Sequence, residues 1–190
     1  NGILTISGTG PMNNFSVDYD DNYNMVTDIP WAACAIDITT VVVEQGVTTI
    51  GDYAFYSFPT INSLTVADSV TYIGNNAFNG CKLLSGPLAI PSKIKEIPSW
   101  CFGNCGFTGD LTIPEGVTKI GGYAFEGCPQ LNGRLSLPAS LREIGEWAFY
   151  CCKFQGELVI PSELQVIPYN CFSHNEFSSI VFAENSELLK

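Results

Sequence analysis

Residues 111–128 read Leu111-Thr112-Ile113-Pro114-Glu115-Gly116-Val117-Thr118-Lys119-Ile120-Gly121-Gly122-Tyr123-Ala124-Phe125-Glu126-Gly127-Cys128, and the chain repeats this pattern in both directions. Outward from Phe125, a Phe recurs as Phe55, Phe78, Phe102, Phe149 and Phe172, at intervals of 23 or 24 residues. Each follows a small residue: Ala54, Ala77, Cys101, Ala124, Ala148 or Cys171. Five positions before each Phe stands Ile50, Ile73, Ile97, Ile120, Ile144 or Ile167. Fourteen positions before it stands Val41, Leu64, Leu88, Leu111, Leu135 or Leu158. The fourteen-residue interval never changes, and the extra residue of the longer units falls between the Phe and the next unit. A constant segment beside a variable one predicts a packed coil beside a surface loop.

Each unit holds two short apolar patterns. Leu64-Thr65-Val66, Leu111-Thr112-Ile113 and Leu158-Val159-Ile160 alternate with β-branched content, which predicts a short strand. Pro91, Pro114, Pro138 and Pro161 end it, because Pro cannot donate to a ladder. The second pattern, as in Val117-Thr118-Lys119-Ile120, fits an extended segment or a helical turn, and spacing alone does not decide. A unit this short cannot bury its apolar edge alone, but stacked units can. The expected fold is a repeat solenoid whose strands form one parallel sheet, rising about 4.8 Å per coil and roughly 29 Å over six coils. Gly51, Gly74, Gly121 and Gly145 occupy a position that Pro98 and Pro168 hold in two units. Since Pro locks φ near −65°, the Gly is not there for positive φ, and a short helical turn is expected to open at this point.

The composition limits the partners. The 190 residues carry a net charge of −11, and 46% are hydrophobic, which argues against disorder. An acidic chain has no electrostatic grip on nucleic acid or on an anionic membrane surface. No apolar run approaches the roughly 18–20 residues of a membrane helix.

The unit L-x-I-P-x-x-V-x-x-I-G-x-x-A-F-x-x-C, as residues 111–128 show it, resembles the BspA-like leucine-rich repeats over about residues 41–183. Leu4-Thr-Ile-Ser-Gly-Thr-Gly-Pro-Met12 and Pro30-Trp31 are similar to the lead-in of many such proteins. The resemblance implies a curved, right-handed leucine-rich-repeat superhelix on a secreted or surface-displayed, usually bacterial, protein. It also implies adhesion and binding of host proteins. Cys101 and Cys171 depart from the motif's Ala, and Phe58 and Asn175 from its Cys.

Residues 1–40 lack the repeat and are expected to cap it, with Leu4, Ile6, Trp31, Ile36 and Ile38 over the first coil. The solenoid is expected over 41–190. Ile180-Val181-Phe182 starts a seventh strand and Leu188 stands where the next apolar position falls, so the last unit is read as incomplete, by truncation or as an improvised cap.

The chemistry reads as follows. Cys81, Cys105, Cys128 and Cys152 share one column and Cys101 and Cys171 another, while Cys34 and Cys151 lie outside both. Phe58 in the first column points to buried free thiols rather than a disulfide framework or a metal site. Cys34 and Cys151 are the candidates for exposure or pairing. His174, the single His, stands in a loop with no nucleophile motif around it. Asp18-x-Asp20-Asp21-Asn22-x-Asn24 offers oxygens to calcium, but Tyr23 and Ile29 replace the required Gly and Glu, so a polar loop is expected. Glu143, Glu146 and Glu157 are read as solvated, not as a glycosidase pair. No catalytic residue, metal or cofactor is assigned.

The surface carries the remaining signal. Tyr53, Asn76, Trp100, Tyr123, Trp147 and Asn170 stand two before each Phe, in a row that either binds or packs over the turn. Tyr72 belongs to a second row with Lys95-Glu96, Lys119 and Arg142-Glu143. A third row, Val42, Thr65, Ala89, Thr112, Ser136, Val159 and Val181, is small and uncharged. Tyr53, Tyr72, Trp100, Tyr123 and Trp147 are the candidate ligand-binding residues. The expected function is a non-enzymatic adhesion or protein-binding module of a secreted or cell-surface protein. It would contact host or matrix proteins, or a glycan. The alternative is a structural spacer within a longer surface protein.

Overall fold

The computed structural model describes residues 2–184, and the expected Leu188 position lies outside the described residues. The chain winds as a β-solenoid. Along one side, parallel pairing runs through Ile3–Ile6, Thr40–Val43 and Ser63–Val66, then Leu111–Thr112 with Leu135–Ser136, then Gln155–Ile160 with Glu176–Phe182. Val41 faces Leu64, Leu111 faces Leu135 and Leu158 faces Ile180, which is the register the Leu column requires. The expected single sheet is therefore three short ladders. The first break falls at Leu88, where Pro87 and Pro91 flank the strand position and remove donors. The second falls before Gln155–Ile160, where Gly156 takes φ +76°; the pairing beyond it, with Glu176–Phe182, shifts register between Gly156 and Glu157.

The second apolar pattern is extended. Gly10–Pro11, Val47–Ile50 and Tyr72–Ile73 form one parallel ladder, and Glu96–Ile97, Lys119–Ile120 and Glu143–Ile144 another. The corner between the two strand positions is an i→i+3 turn. Val117 N donates to Pro114 O at 3.2 Å, and Ile94, Leu141 and Leu164 do the same to Pro91, Pro138 and Pro161. The Pro thus ends a strand and supplies the carbonyl that closes the corner.

The segment from Gly51 to Phe58 and its equivalents is not a helical turn. The column two before each Phe lies at positive φ throughout: Tyr53 +57°, Asn76 +55°, Trp100 +59°, Tyr123 +59°, Trp147 +60° and Asn170 +54°. So does the column two after it: Ser57, Gly80, Asn104, Gly127, Cys151 and His174. Left-handed residues turn alternate amides away from their own turn and along the solenoid axis. Tyr53, Phe55 and Ser57 N–H donate to Asn75, Ala77 and Asn79 O of the next coil at 2.9, 2.8 and 2.7 Å. The intervening Ala54, Tyr56 and Phe58 N–H donate within the turn, to Gly51, Tyr53 and Phe55 O. The same three inter-coil bonds recur at every junction up to the coil of Phe172.

Positive φ is absent at Gly51, Gly74, Gly121 and Gly145, as the Pro substitutions implied. Their role is close approach. A Cβ on Gly121 would collide with the Ser99 amide, on Gly74 with Asp52 N, and on Gly145 with Gly122 N.

The core is a set of columns. Phe55, Phe78, Phe102, Phe125, Phe149 and Phe172 stack with ring centroids 5.1, 5.6, 5.5, 5.2 and 5.7 Å apart in order. The segment after the Phe, expected on the surface, contributes its own buried column: Ile61, Leu84, Phe107, Leu131 and Phe154. Phe107 and Phe154 lie edge-on to Phe102 and Phe149.

Residues 2–40 add a coil in the same register, with Leu4 facing Val41. Trp31 takes the Phe place, stacked on Phe55 at 5.6 Å, and its Nε1 donates to Ala54 O at 2.8 Å. Trp31 stands 24 residues before Phe55, so Cys34, three residues after it, occupies the Cys column and is not an outlier as expected. It is exposed. Ile38 is buried and Leu4 and Ile6 pack on the core, but Ile36 is 71% exposed and covers nothing.

Candidate functional site

Trp100, Tyr123 and Trp147 come together as the repeat requires. Their rings stack along the axis, 4.4 Å and 6.0 Å apart and within 2° and 8° of parallel. Trp147 also meets Tyr150 at 4.4 Å and Tyr169 at 5.8 Å, both edge-on, and Trp100 lies over Gly103. The three rings are half-buried and stack face to face. This geometry is that of rings shielding a strained turn, with a narrow polar edge left for contact. Tyr53 is cut off from them by Asn76 and pairs edge-on with Tyr56 at 5.6 Å. Tyr56 and Tyr150 stand one residue after the Phe, a column that the sequence presents as Tyr56, Asn79, Gly103, Glu126, Tyr150 and Ser173 and that reading by rows would have found.

Tyr72 belongs to a different surface, on the second strand position. Partial burial first, then the neighbouring Asp52 and Glu96 carboxylates, raise its hydroxyl pKa. Below it runs a charge ladder. Lys119 Nζ lies 3.7 Å from Glu96 and 3.6 Å from Glu143, and Arg142 pairs with Glu163 at 3.9 Å. All are well exposed, so each pair stabilises the fold by about 1 kcal/mol at most. The sheet face keeps its small residues in line, Thr5 beside Val42, Val42 beside Thr65 and Thr112 beside Ser136. A shallow depression of about 530 Å³ interrupts it between Arg134–Leu137 and Glu157–Val159.

The thiols are hydrogen-bond donors in the core. Cys81 Sγ donates to Phe55 O at 3.0 Å, and Cys105, Cys128 and Cys152 donate to Phe78, Phe102 and Phe125 O at 3.1 Å. Asn175 continues the column, with Nδ2 donating to Phe149 O at 2.8 Å. Each side chain satisfies a carbonyl of the preceding coil, a role in which Asn replaces Cys directly. Burial pushes Cys81 and Cys128 up to about 12 and raises Cys101, Cys105, Cys152 and Cys171 well above the ordinary thiol value. All eight cysteines are free, Cys34 exposed and Cys151 half-buried.

His174 sits exposed at φ +61°, edge-on to Tyr150 at 4.9 Å. The Asp18–Asn24 stretch is the end of a hairpin, Val17–Tyr19 paired antiparallel with Met25–Thr27. Asp20 accepts from Asn22 N, Asn24 N and Asn24 Nδ2 at 2.8, 2.9 and 3.0 Å, bonds that lower its pKa and occupy its oxygens. Glu143, Glu146 and Glu157 are exposed. Among the described residues no three His, Cys, Asp or Glu side chains converge as a metal site would require.

A model of the BspA type leucine rich repeat region matches six copies over residues 31–133 and 96–190. Among solved structures, a leucine-rich repeat protein from Bacteroides ovatus ATCC 8483 is 27% identical with a TM-score of 0.73, over 96% of this chain and 46% of that one. One from Eubacterium ventriosum ATCC 27560 is 25% identical with a TM-score of 0.69, over 97% of this chain and 56% of that one. The chain spans about half the length of these structures. No curated protein matches it.

Proposed function

The chain belongs to the BspA-type leucine-rich repeat family, and from that premise we propose that it is a non-enzymatic protein-binding and adhesion module of a secreted or cell-surface protein. The observation that carries this reading is where the repeat spends its side chains. Phe, Ile, Leu and Cys columns point inward, the Cys thiols donating to backbone carbonyls, while outward rows stay in register from coil to coil. Such a surface presents an equivalent position every 4.8 Å or so, which suits an extended contact with a protein rather than a closed pocket around a small substrate. No helix among the described residues is long and apolar enough to cross a membrane.

The test is a binding array of extracellular-matrix and mucosal proteins probed with the purified chain, repeated with Trp100→Ala, Tyr123→Ala and Trp147→Ala. Saturable binding of at least one protein is expected. A folded chain that binds nothing on the array overturns the reading in favour of a spacer, and turnover of a glycan overturns it in favour of an enzyme. Loss of binding in the three Ala variants, with fold retained, would place the contact on the aromatic edge. Unchanged binding would move it to another face.

A further inference from the structure

The N-terminal coil carries a surface that the repeat does not need. From Leu4 to its register partner Val41 the chain takes 37 residues, against 23 from Val41 to Leu64. The surplus is the hairpin of Val17–Tyr19 and Met25–Thr27. Insertions into one repeat of a solenoid are placed where binding happens more often than where stacking does. This one is held firmly at its base: Phe15 packs edge-on against Trp31 at 5.3 Å, and its N–H donates to Asp52 O at 3.0 Å. Its outer part exposes Tyr19 (53%), Tyr23 (88%), Met25 (40%) and Val26 (55%). Tyr19 Oη lies 3.4 Å from Tyr56 Oη, which joins the hairpin to the Tyr53–Tyr56 pair on the first turn.

The charge around this patch has one sign. Residues 1–81 hold eight Asp or Glu and no Lys, Arg or His, so −8 of the chain's −11 lies there. The four ion pairs of the described residues all fall between Glu96 and Glu176. Exposed tyrosine rings in a negative field attract cations by ring quadrupole and by charge together, and such complementarity steers encounter and fixes the partner's orientation.

We infer that the hairpin and the tyrosines beside it dock an Arg- or Lys-rich segment of a partner protein. Arg is preferred, because its planar guanidinium stacks on tyrosine where ammonium does not. The inference rests on the protein-binding reading and names the face and the chemistry of the partner.

The test measures binding of an alternating Arg-Gly peptide to the full chain by calorimetry at low and physiological salt. Tyr19→Ala with Tyr23→Ala is expected to weaken binding about tenfold. Asp18→Asn with Asp21→Asn is expected to weaken it and to flatten its salt dependence. These side chains lie outside the core, and Asp20, which closes the hairpin, is left in place. Glu115→Gln with Glu163→Gln removes the same charge from later coils and is expected to change Kd less than about twofold. No peptide binding, hairpin variants that bind like the parent, or an equal loss in the Glu control would each overturn the inference. A protein captured on the array but indifferent to the hairpin variants would sink the inference alone and leave the module reading standing.

Discussion

Tyr123 sits at φ +59°, where an L-residue other than Gly, Asn or Asp is strained by roughly 1 kcal/mol. Its ring offsets that strain by stacking between Trp100 and Trp147. Two coils solve the same problem with Asn76 and Asn170, whose short amides tolerate the left-handed region. Tyr123→Asn is therefore expected to be less destabilising than Tyr123→Ala, by about 1 kcal/mol in urea unfolding, because Ala loses the stacking and keeps the strain. Equal losses would mean that the backbone geometry carries no cost at this position. The buried thiols act at a different pH. Their folded pKa lies above the unfolded value near 9, so the folded state favours the neutral thiol. Their contribution is complete below about pH 9 and is lost as pH rises toward about 12, on the order of a few kcal/mol per thiol. Cys128→Ala should lower stability at neutral pH and reduce the loss between these limits, as read by unfolding midpoints across the range. A variant with the parent's alkaline slope would show that this thiol is not held neutral by burial.

The strands and the Phe stack could be read directly from the sequence, because core columns tolerate few residue types and so repeat visibly. The turn could not be read the same way. Pro98 and Pro168 suggested a helical turn, yet Asn76, Asn170, Gly80, Asn104 and Gly127 carried the left-handed signal in two neighbouring columns. The first coil stayed hidden for a simpler reason: the hairpin displaces Leu4 by thirteen residues, and Trp31 stands in for Phe. Gly51, Gly74, Gly121 and Gly145 recur where the sequence predicts a turn to open, whereas the structure uses them for contact between coils. Gly121→Ala tests that role, since the added Cβ meets the Ser99 amide of the coil before. A loss of about 1–3 kcal/mol in denaturant unfolding is expected. A neutral substitution would mean that the coils have room to separate at this corner.

At the scale of the whole molecule, the aromatic candidates were legible as a row, but their stacking was not, because spacing says which rings are neighbours and not how they turn. Tyr53 belongs to that row but is cut off from its stack by Asn76, and Tyr72 lies on another surface. In the acidic hairpin, Tyr23 and Ile29 break the calcium-loop pattern and predict a polar loop, and the Asp20 hydrogen bonds show how that loop closes. Charge polarity along the axis was present in the sequence throughout and became meaningful once the hairpin was seen to stand beside Tyr56. All of these surfaces depend on coils that hold one register from end to end, through amides pointing along the axis at Tyr53, Phe55 and Ser57 and their equivalents. Amide hydrogen exchange followed residue by residue by NMR tests that dependence most directly. Slow exchange is predicted at Phe55, Phe78, Phe102, Phe125 and Phe149 and at the residues two before and two after each, recurring every 23–24 residues. Rapid exchange at these amides, with no such period, would contradict it.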